Sequence, residues 1–299
     1  VKQLQGVKVL IIGGSGFIGD ATVSEFLNEG ASVTVYDIKP SQHKNVKFVK
    51  GCILDKKKLI EVANGADYVY HYAGWADMAT SSENPSQVIE MNILGTTNIL
   101  ESCVQNKVKK IIFASSMYVF SKNGSFYRAS KQCCELLIEE YSKTYDLDFC
   151  ILRYGSLYGP GATHGNAVYK LISQALEKGE IKYWGVGDEI RQYIHVKDAA
   201  RGSIQILKDG FSENYVSITG LEDIQIKNLL QMINEILGGN IKIKTTKDPE
   251  VLTHYTITPF NFLPKTGRKL VYHAYKDLGQ GVLECIHEVY REINKEEKA

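Results

Sequence analysis

An aliphatic run that breaks into spaced glycines, Val9-Leu10-Ile11-Ile12-Gly13-Gly14-Ser15-Gly16-Phe17-Ile18-Gly19, constrains this chain more than any other feature. The aliphatic residues suit a buried strand. Glycines at 13, 16 and 19 let the backbone turn at once into a helix whose unpaired N–H groups, from Phe17 and Ile18 onward, face an anion such as a pyrophosphate. An apolar-periodic helix follows (Ile18, Val23, Phe26, Leu27), then a strand from Ser32 to Tyr36 that ends in Asp37. A carboxylate at Asp37 can accept both hydroxyls of an adenosine ribose and repel a 2′-phosphate, so the expected cofactor is NAD rather than NADP.

The rest of the chain extends this beginning. Short Val/Ile-rich runs at 7–12, 32–36, 46–49, 67–71, 110–115 and 148–153 alternate with amphipathic segments at about 17–29, 55–64, 84–106 and 126–145. That alternation predicts an α/β fold, a doubly wound parallel sheet with helices on both faces and ligands at the C-terminal ends of its strands. After residue 154 the pattern loosens: a Gly/Pro link at 158–161, a helix at 166–178, a strand at 181–184, a helix at 197–208, and helices at 225–237 and 275–293. The expected division is a cofactor-binding domain of residues 1–154 and 188–211, and a smaller α/β substrate lobe of residues 155–187 and 212–299.

A formal charge of +1, from 35 basic and 34 acidic residues, gives no field for steering to nucleic acid or an anionic membrane. No apolar run reaches the ~18 residues of a membrane span. Six cysteines lack C-x-x-C spacing and a histidine cluster, so neither a metal site nor a disulfide framework is expected. With a strand pattern beginning at residue 7 and no leader expected, the predicted location is the cytoplasm.

Tyr127 and Lys131 share one face near the start of a predicted helix. A phenol is a poor base at its free pKa, and a lysine cation beside it favours the phenolate. Ser115-Ser116 closes the strand at 110–115, eleven residues before Tyr127, where a hydroxyl can hold a substrate oxygen near that phenol.

In order and content the glycine turn, Asp37, Asn92 in Met91-Asn92-Ile93-Leu94-Gly95-Thr96, Ser116, Tyr127-x-x-x-Lys131, Arg153 through Gly159-Pro160, and Arg191-Gln192-Tyr193-Ile194-His195 resemble the extended short-chain dehydrogenase/reductases. Within them the chain is similar to the NAD-dependent nucleotide-sugar epimerase/dehydratase group, over residues 5–290, with a Rossmann-like fold. The resemblance implies Tyr127 as acid/base, Lys131 as its electrostatic partner and holder of the nicotinamide ribose, and Ser116 as anchor of the reacting hydroxyl. It implies cofactor contacts at Gly13, Gly16, Phe17, Ile18, Gly19, Asp37, Ile53, Ala73, Gly74, Asn92, Tyr127, Lys131 and Tyr154. Substrate contacts are implied at Ser116, Tyr127, Ser156, Asn166 and Arg191, the last gripping a diphosphate. His195 reads as an interior histidine and Trp184 as packing. A homodimer is implied too, with Ile99, Cys103, Cys134, Leu137 and Ile138 as apolar material either for its helices or for ordinary helix-on-sheet packing.

Family dehydratases carry an acid pair directly after the serine, whereas this chain has Met117-Tyr118. That favours C4 epimerisation of a nucleotide sugar through a transient ketone, with an NAD(H)-dependent 4-ketoreductase or dehydrogenase as the alternative and a non-catalytic NAD sensor or scaffold as a third reading. The chain departs from the family in four ways. Cys52 stands where an aspartate usually binds the adenine amine, and Ser156 stands where an asparagine is common. The segment from Ser116 to Tyr127 is short. No arginine occurs between Arg201 and Arg268 to supply a second phosphate contact, leaving Lys244 or Lys247 as substitutes.

Overall fold

The structure is a computed structural model that describes residues 3–207, 211–246 and 255–262, all within one compact unit of residues 1–262. Seven strands form its main sheet: β1 (Lys8–Ile12), β2 (Ser32–Asp37), β3 (Lys47–Lys50), β4 (Tyr68–His71), β5 (Lys110–Ser116), β6 (Asp148–Tyr154) and β10 (Asn214–Ile218). Their order is β10-β6-β5-β4-β1-β2-β3, and every pairing is parallel. The doubly wound α/β expectation is met, and β10 carries the sheet past residue 211, where the sequence reading ended the first domain.

Alternation along the strands splits the core in two. Val9 and Ile11 face α1 (Phe17–Asn28) and α8 (Val196–Gln205), packing with Val23, Phe26 and Ala199. Leu10 and Ile12 face the other layer: α2 (Lys56–Ala63), α5 (Gly95–Gln105) and α6 (Ser125–Tyr145). Ile99, Cys103, Cys134 and Ile138, offered above for a dimer face, are buried in this second core, and Leu137 is packed against it. Their apolar character is accounted for by helix-on-sheet packing within one chain.

The segment expected as one helix at 84–106 is not uniform. It runs from α4 (Pro85–Ile89) through five π-helical residues, Glu90–Leu94, into α5, preceded by a short α3 (Met78–Ser81). β5 ends in a 3₁₀ turn, Met117–Phe120. Beyond the main sheet, β7 (Ser156–Tyr158), β9 (Ile190–His195) and β11 (Asp223–Gln225) form one small sheet, and β8 (Glu180–Trp184) pairs with β12 (Lys242–Thr246). Two helices, α7 (Ala167–Lys178) and α9 (Ile226–Ile236), pack Leu171, Ala175, Leu230 and Ile233 around Ile181. The helix expected at 275–293 lies outside the described residues.

A buried ion pair ties α6 to the sheet. Glu135 accepts from Arg153 through both oxygens, at 3.0 and 2.7 Å, and from the Ser115 hydroxyl. The Arg153 guanidinium sits 4.5 Å from the Phe120 and Tyr215 ring centres. Because removing one partner strands the other charge, Glu135→Ala should cost about 3–5 kcal/mol of unfolding free energy, whereas a double replacement with methionine should recover most of it. Urea denaturation measures both; a loss under about 1 kcal/mol for the single change would refute the role given to this pair.

Candidate active site

The glycine turn is shaped by backbone packing. A Cβ on Gly13 would fall 2.4 Å from the Ala73 nitrogen, and one on Gly19 would fall 2.1 Å from the Gly13 carbonyl oxygen. Gly13 also has positive φ, so no other residue fits there without moving β4. α1 begins at Gly16 with no side chain capping it, leaving its first N–H groups, at Phe17 and Ile18, for an external acceptor. Asp37 closes the cradle: its carboxylate accepts from the Ser15 and Lys39 backbone nitrogens, both at 3.0 Å. That fixes the group while leaving lone pairs for two hydroxyls. These features fit the dinucleotide NAD.

Just after β3, Cys52 is half-buried and its carbonyl accepts from the Tyr36 phenol. The Ile53 side chain is buried against Gly95, and the Ile53 carbonyl accepts from Asn98.

Asn92 lies in the π-helical segment and joins three parts of the site. Its amide accepts from Trp75 N–H at 2.6 Å, donates to Trp75 carbonyl at 3.0 Å and donates to the Ser130 hydroxyl at 2.8 Å. The Asn92 carbonyl accepts from the Gly95 backbone N–H and also from Thr96 Oγ1 and Cys134 Sγ. Gly74, with φ of +141°, passes so close that a Cβ there would meet Asn92 Oδ1 at 2.6 Å. The loop after β4, with Ala73 and Gly74, is thereby clipped to α6.

One turn of α6 carries Tyr127 and Lys131. The Tyr127 phenol is hydrogen-bonded to Ser116; burial raises its pKa, while the Ser116 bond lowers it. The Lys131 ammonium donates to the Ala114 carbonyl at 2.8 Å and lies 6.0 Å from the Tyr127 ring centre. Its own pKa is lowered by burial. Beneath it, His71 is buried, bonded through Nε2 to Thr96 Oγ1 at 2.9 Å, with Nδ1 unpartnered. Burial, aided by Lys131, pushes its pKa down to about 3.

The smaller sheets bring Arg191 toward this edge. Its guanidinium is buried, donates to the Ile190 and Thr256 carbonyls and stacks 4.4 Å from the Tyr255 ring centre. Among the described residues it forms no ion pair with a carboxylate. Ser156 is half-buried on β7. The Asn166 amide caps α7 by accepting from Tyr169 N–H and donates to the Leu157 carbonyl. The Tyr154 phenol turns away from the cradle to Ser203, at 2.6 Å. His195 caps α8 through Nδ1 rather than filling a core, and Trp184 is 63% exposed rather than packed. Lys244 bonds Glu180; Lys247 and Arg268 lie outside the described residues.

Sequence reasoning overlooked Tyr118 and Tyr255, whose rings lie 4.5 Å apart beside Tyr127. Tyr118 was legible only as a missing acid, and Tyr255 carries no motif.

Comparison with known proteins agrees with this geometry. A model of the NAD dependent epimerase/dehydratase family matches residues 9–218. A UDP-N-acetyl-alpha-D-glucosaminuronate decarboxylase of Bacillus cytotoxicus is 29% identical over 275 residues, covering 83% of this chain and 85% of its own. A UDP-glucuronate 4-epimerase of Thermodesulfobacterium geofontis is 28% identical over 263 residues, 78% of this chain and 81% of its own. Among solved structures, a UDP-N-acetylglucosamine 4-epimerase of Methanobrevibacter ruminantium superposes with a TM-score of 0.79 at 24% identity, over 87% of this chain and 90% of that one. This last likeness establishes the shared fold.

The buried histidine sets a pH dependence. Below about pH 6.5 the unfolded chain takes up a proton at His71 that the native state refuses until about pH 3, so stability falls through that window as pH drops. Between pH 7 and 4.5 this group alone should cost about 2–3 kcal/mol. Urea midpoints of the wild type and His71→Gln, compared at the two pH values, should show the smaller fall in the variant; parallel falls would refute the assignment.

Proposed function

The chain belongs to the NAD dependent epimerase/dehydratase family, and we propose that it inverts C4 of a nucleotide-activated hexose through a transient ketone. The observation that carries this reading is the Ser116–Tyr127 hydrogen bond at the sheet edge, with Met117 and Tyr118, not a carboxylate, next in the chain. Eliminating water from the sugar needs an additional acid and base there, whereas inversion needs one group that takes a proton and returns it.

Phe17, Ile18 and the glycines hold the pyrophosphate of NAD, Asp37 the adenosine ribose, and Tyr127 with Lys131 the nicotinamide ribose. NAD bound there supplies the site with a hydride acceptor that becomes the donor for the return step. Ser116 orients the sugar hydroxyl toward Tyr127. Tyr127 as phenolate takes that hydroxyl's proton as the carbon is oxidised, and as phenol gives it back when the ketone is reduced on its other face. Lys131, buried below, contributes positive potential that favours the phenolate. Arg191 anchors the diphosphate, since a buried guanidinium without a carboxylate partner gains most from an anion. Anchoring by the diphosphate alone leaves the sugar free to turn over.

Residues 1–154 and 188–211, with β10, serve as the cofactor domain in this reading, and 155–187 with the remainder of 212–299 as the substrate lobe. The location follows as cytoplasmic. The protein works as a homodimer through the outer faces around α4 to α6, where Ile89, Leu94 and Leu136 are exposed; sedimentation equilibrium should give twice the chain mass, and a monomer would exclude this. Among the described residues no helix is long and apolar enough to cross a membrane.

Purified protein should interconvert C4 epimers of a nucleotide sugar with no added nicotinamide. Tyr127→Phe should lower kcat by about 10²- to 10⁴-fold while keeping NAD bound. Stoichiometric consumption of added NADH without epimer formation would instead establish the ketoreductase reading.

A further inference from the structure

We propose that Glu135 is a positioning residue for the proton transfer: clamped by Arg153, it holds the Ser115 hydroxyl and so presents Ser116, the next residue, to Tyr127. The inference rests on the reading of Ser116 and Tyr127 given above and extends it to the groups that set their distance.

Tyr127, Lys131 and Glu135 stand four residues apart and share one face of α6. Three consecutive residues at the end of β5 meet that face. The Ala114 carbonyl accepts from Lys131 Nζ at 2.8 Å, the Ser115 hydroxyl donates to Glu135 Oε1 at 2.5 Å, and the Ser116 hydroxyl is hydrogen-bonded to Tyr127. The adjacent serines therefore have separate partners on one helix. Glu135 itself is buried, and its oxygens are taken by protein groups.

Arg153 supplies the clamp. It is the register partner of Ser115 on the neighbouring strand β6, and its Nε and Nη2 donate to the two Glu135 oxygens at 3.0 and 2.7 Å. Phe120 and Tyr215 flank the guanidinium. A carboxylate held by two such bonds cannot swing, so Oε1 meets Ser115 from a fixed direction. The chain leaves the sheet at the following residue. Ser116 is extended and opens the 3₁₀ turn, its hydroxyl accepting from Tyr118 N–H at 3.3 Å. At this last strand position a side-chain tie one residue away fixes the Ser116 hydroxyl against α6. A misplacement of about 1 Å at a reacting centre can cost about 100-fold in rate, so such a tie has catalytic weight.

Ser115→Ala tests this, because it leaves the Glu135–Arg153 pair and every residue assigned to the reaction in the chain. In steady-state kinetics with the NAD-loaded protein, kcat for C4 epimerisation should fall at least about tenfold, with KM for the nucleotide sugar within about twofold. Among the described residues, the groups facing the Tyr127 phenol are Ser116 from β5, Tyr118 from the 3₁₀ turn, Tyr255 from residues 255–262 and Lys131 on α6. Of these, Ser116 is the one that the change releases. Its bond favours the phenolate, so weakening it should move the acid limb of the kcat profile to higher pH by about 0.5–1 unit. In a Ser116→Ala background the same change should cost less than about twofold, since the group it acts through is gone.

Wild-type kcat in Ser115→Ala, equal losses in the two backgrounds, or a fall in kcat with the pH profile unmoved would each overturn the proposal. If Ser115→Ala does not fold, Ser115→Cys, of similar size and a weaker donor, is held to the same directions. A wild-type protein that interconverts no C4 epimers would overturn the epimerase reading instead. Crystal structures of the NAD-loaded proteins then decide the positioning: the Ser116 hydroxyl should lie within hydrogen-bond distance of the Tyr127 phenol in the wild type and beyond it in the variant, and an unchanged distance would overturn the role of Glu135.

Discussion

Backbone meets backbone without a side chain between them at the centre of this molecule, where the turn after β1 touches the end of β4. Gly13 donates to the Tyr36 carbonyl at 2.9 Å and lies so near Ala73 that a Cβ would collide with the peptide nitrogen. Gly19 presses on the Gly13 carbonyl from the helix side. This contact seats α1 on the sheet edge with its N-terminus open. It brings the loop after β4 alongside, and every group of the site is placed relative to those two pieces.

From there order spreads by hydrogen bonds rather than by apolar packing. The Asn92 amide fastens the loop at Trp75 to Ser130 on α6, one residue before Lys131 and one turn after Tyr127. In the π segment the Asn92 carbonyl takes the Gly95 N–H together with the Thr96 hydroxyl and the Cys134 thiol. His71 sits under this network as a neutral imidazole, and Glu135 with Arg153 fixes the far side of α6. The catalytic candidates thus occupy a layer whose polar groups are buried and mutually committed, which is how a site holds its geometry against thermal motion.

Much of this was legible because it rests on local rules. The strand–glycine–helix turn, the Asp37 carboxylate and the Tyr127–Lys131 spacing each follow from short-range geometry, and the six sheet strands expected through residue 154 fall within one residue of their predicted ends. What escaped was non-local. The π segment is stabilised by partners 4 to 42 residues away, β10 declares itself only through pairing with β6, and Tyr255 has no motif to mark it. Expectations for Trp184 and His195 shifted for the same reason, and the two readings open for Ile99, Cys103, Cys134 and Ile138 narrowed to helix-on-sheet packing: residue type leaves open which surface a side chain meets.

Taken alone, the sequence determined the fold class, the cofactor and the placing of Tyr127 and Lys131 on one turn of helix, since glycine conformation, carboxylate charge and helical spacing act within a few residues. Tertiary structure alone decided which charges are free to meet a ligand. Lys131, Arg128 and Arg153 are held by carbonyls and a carboxylate brought from elsewhere in the chain, while Arg191 finds only two carbonyls and an aromatic face. The charge available to a substrate depends on long-range burial and pairing, which no run of neighbouring residues encodes.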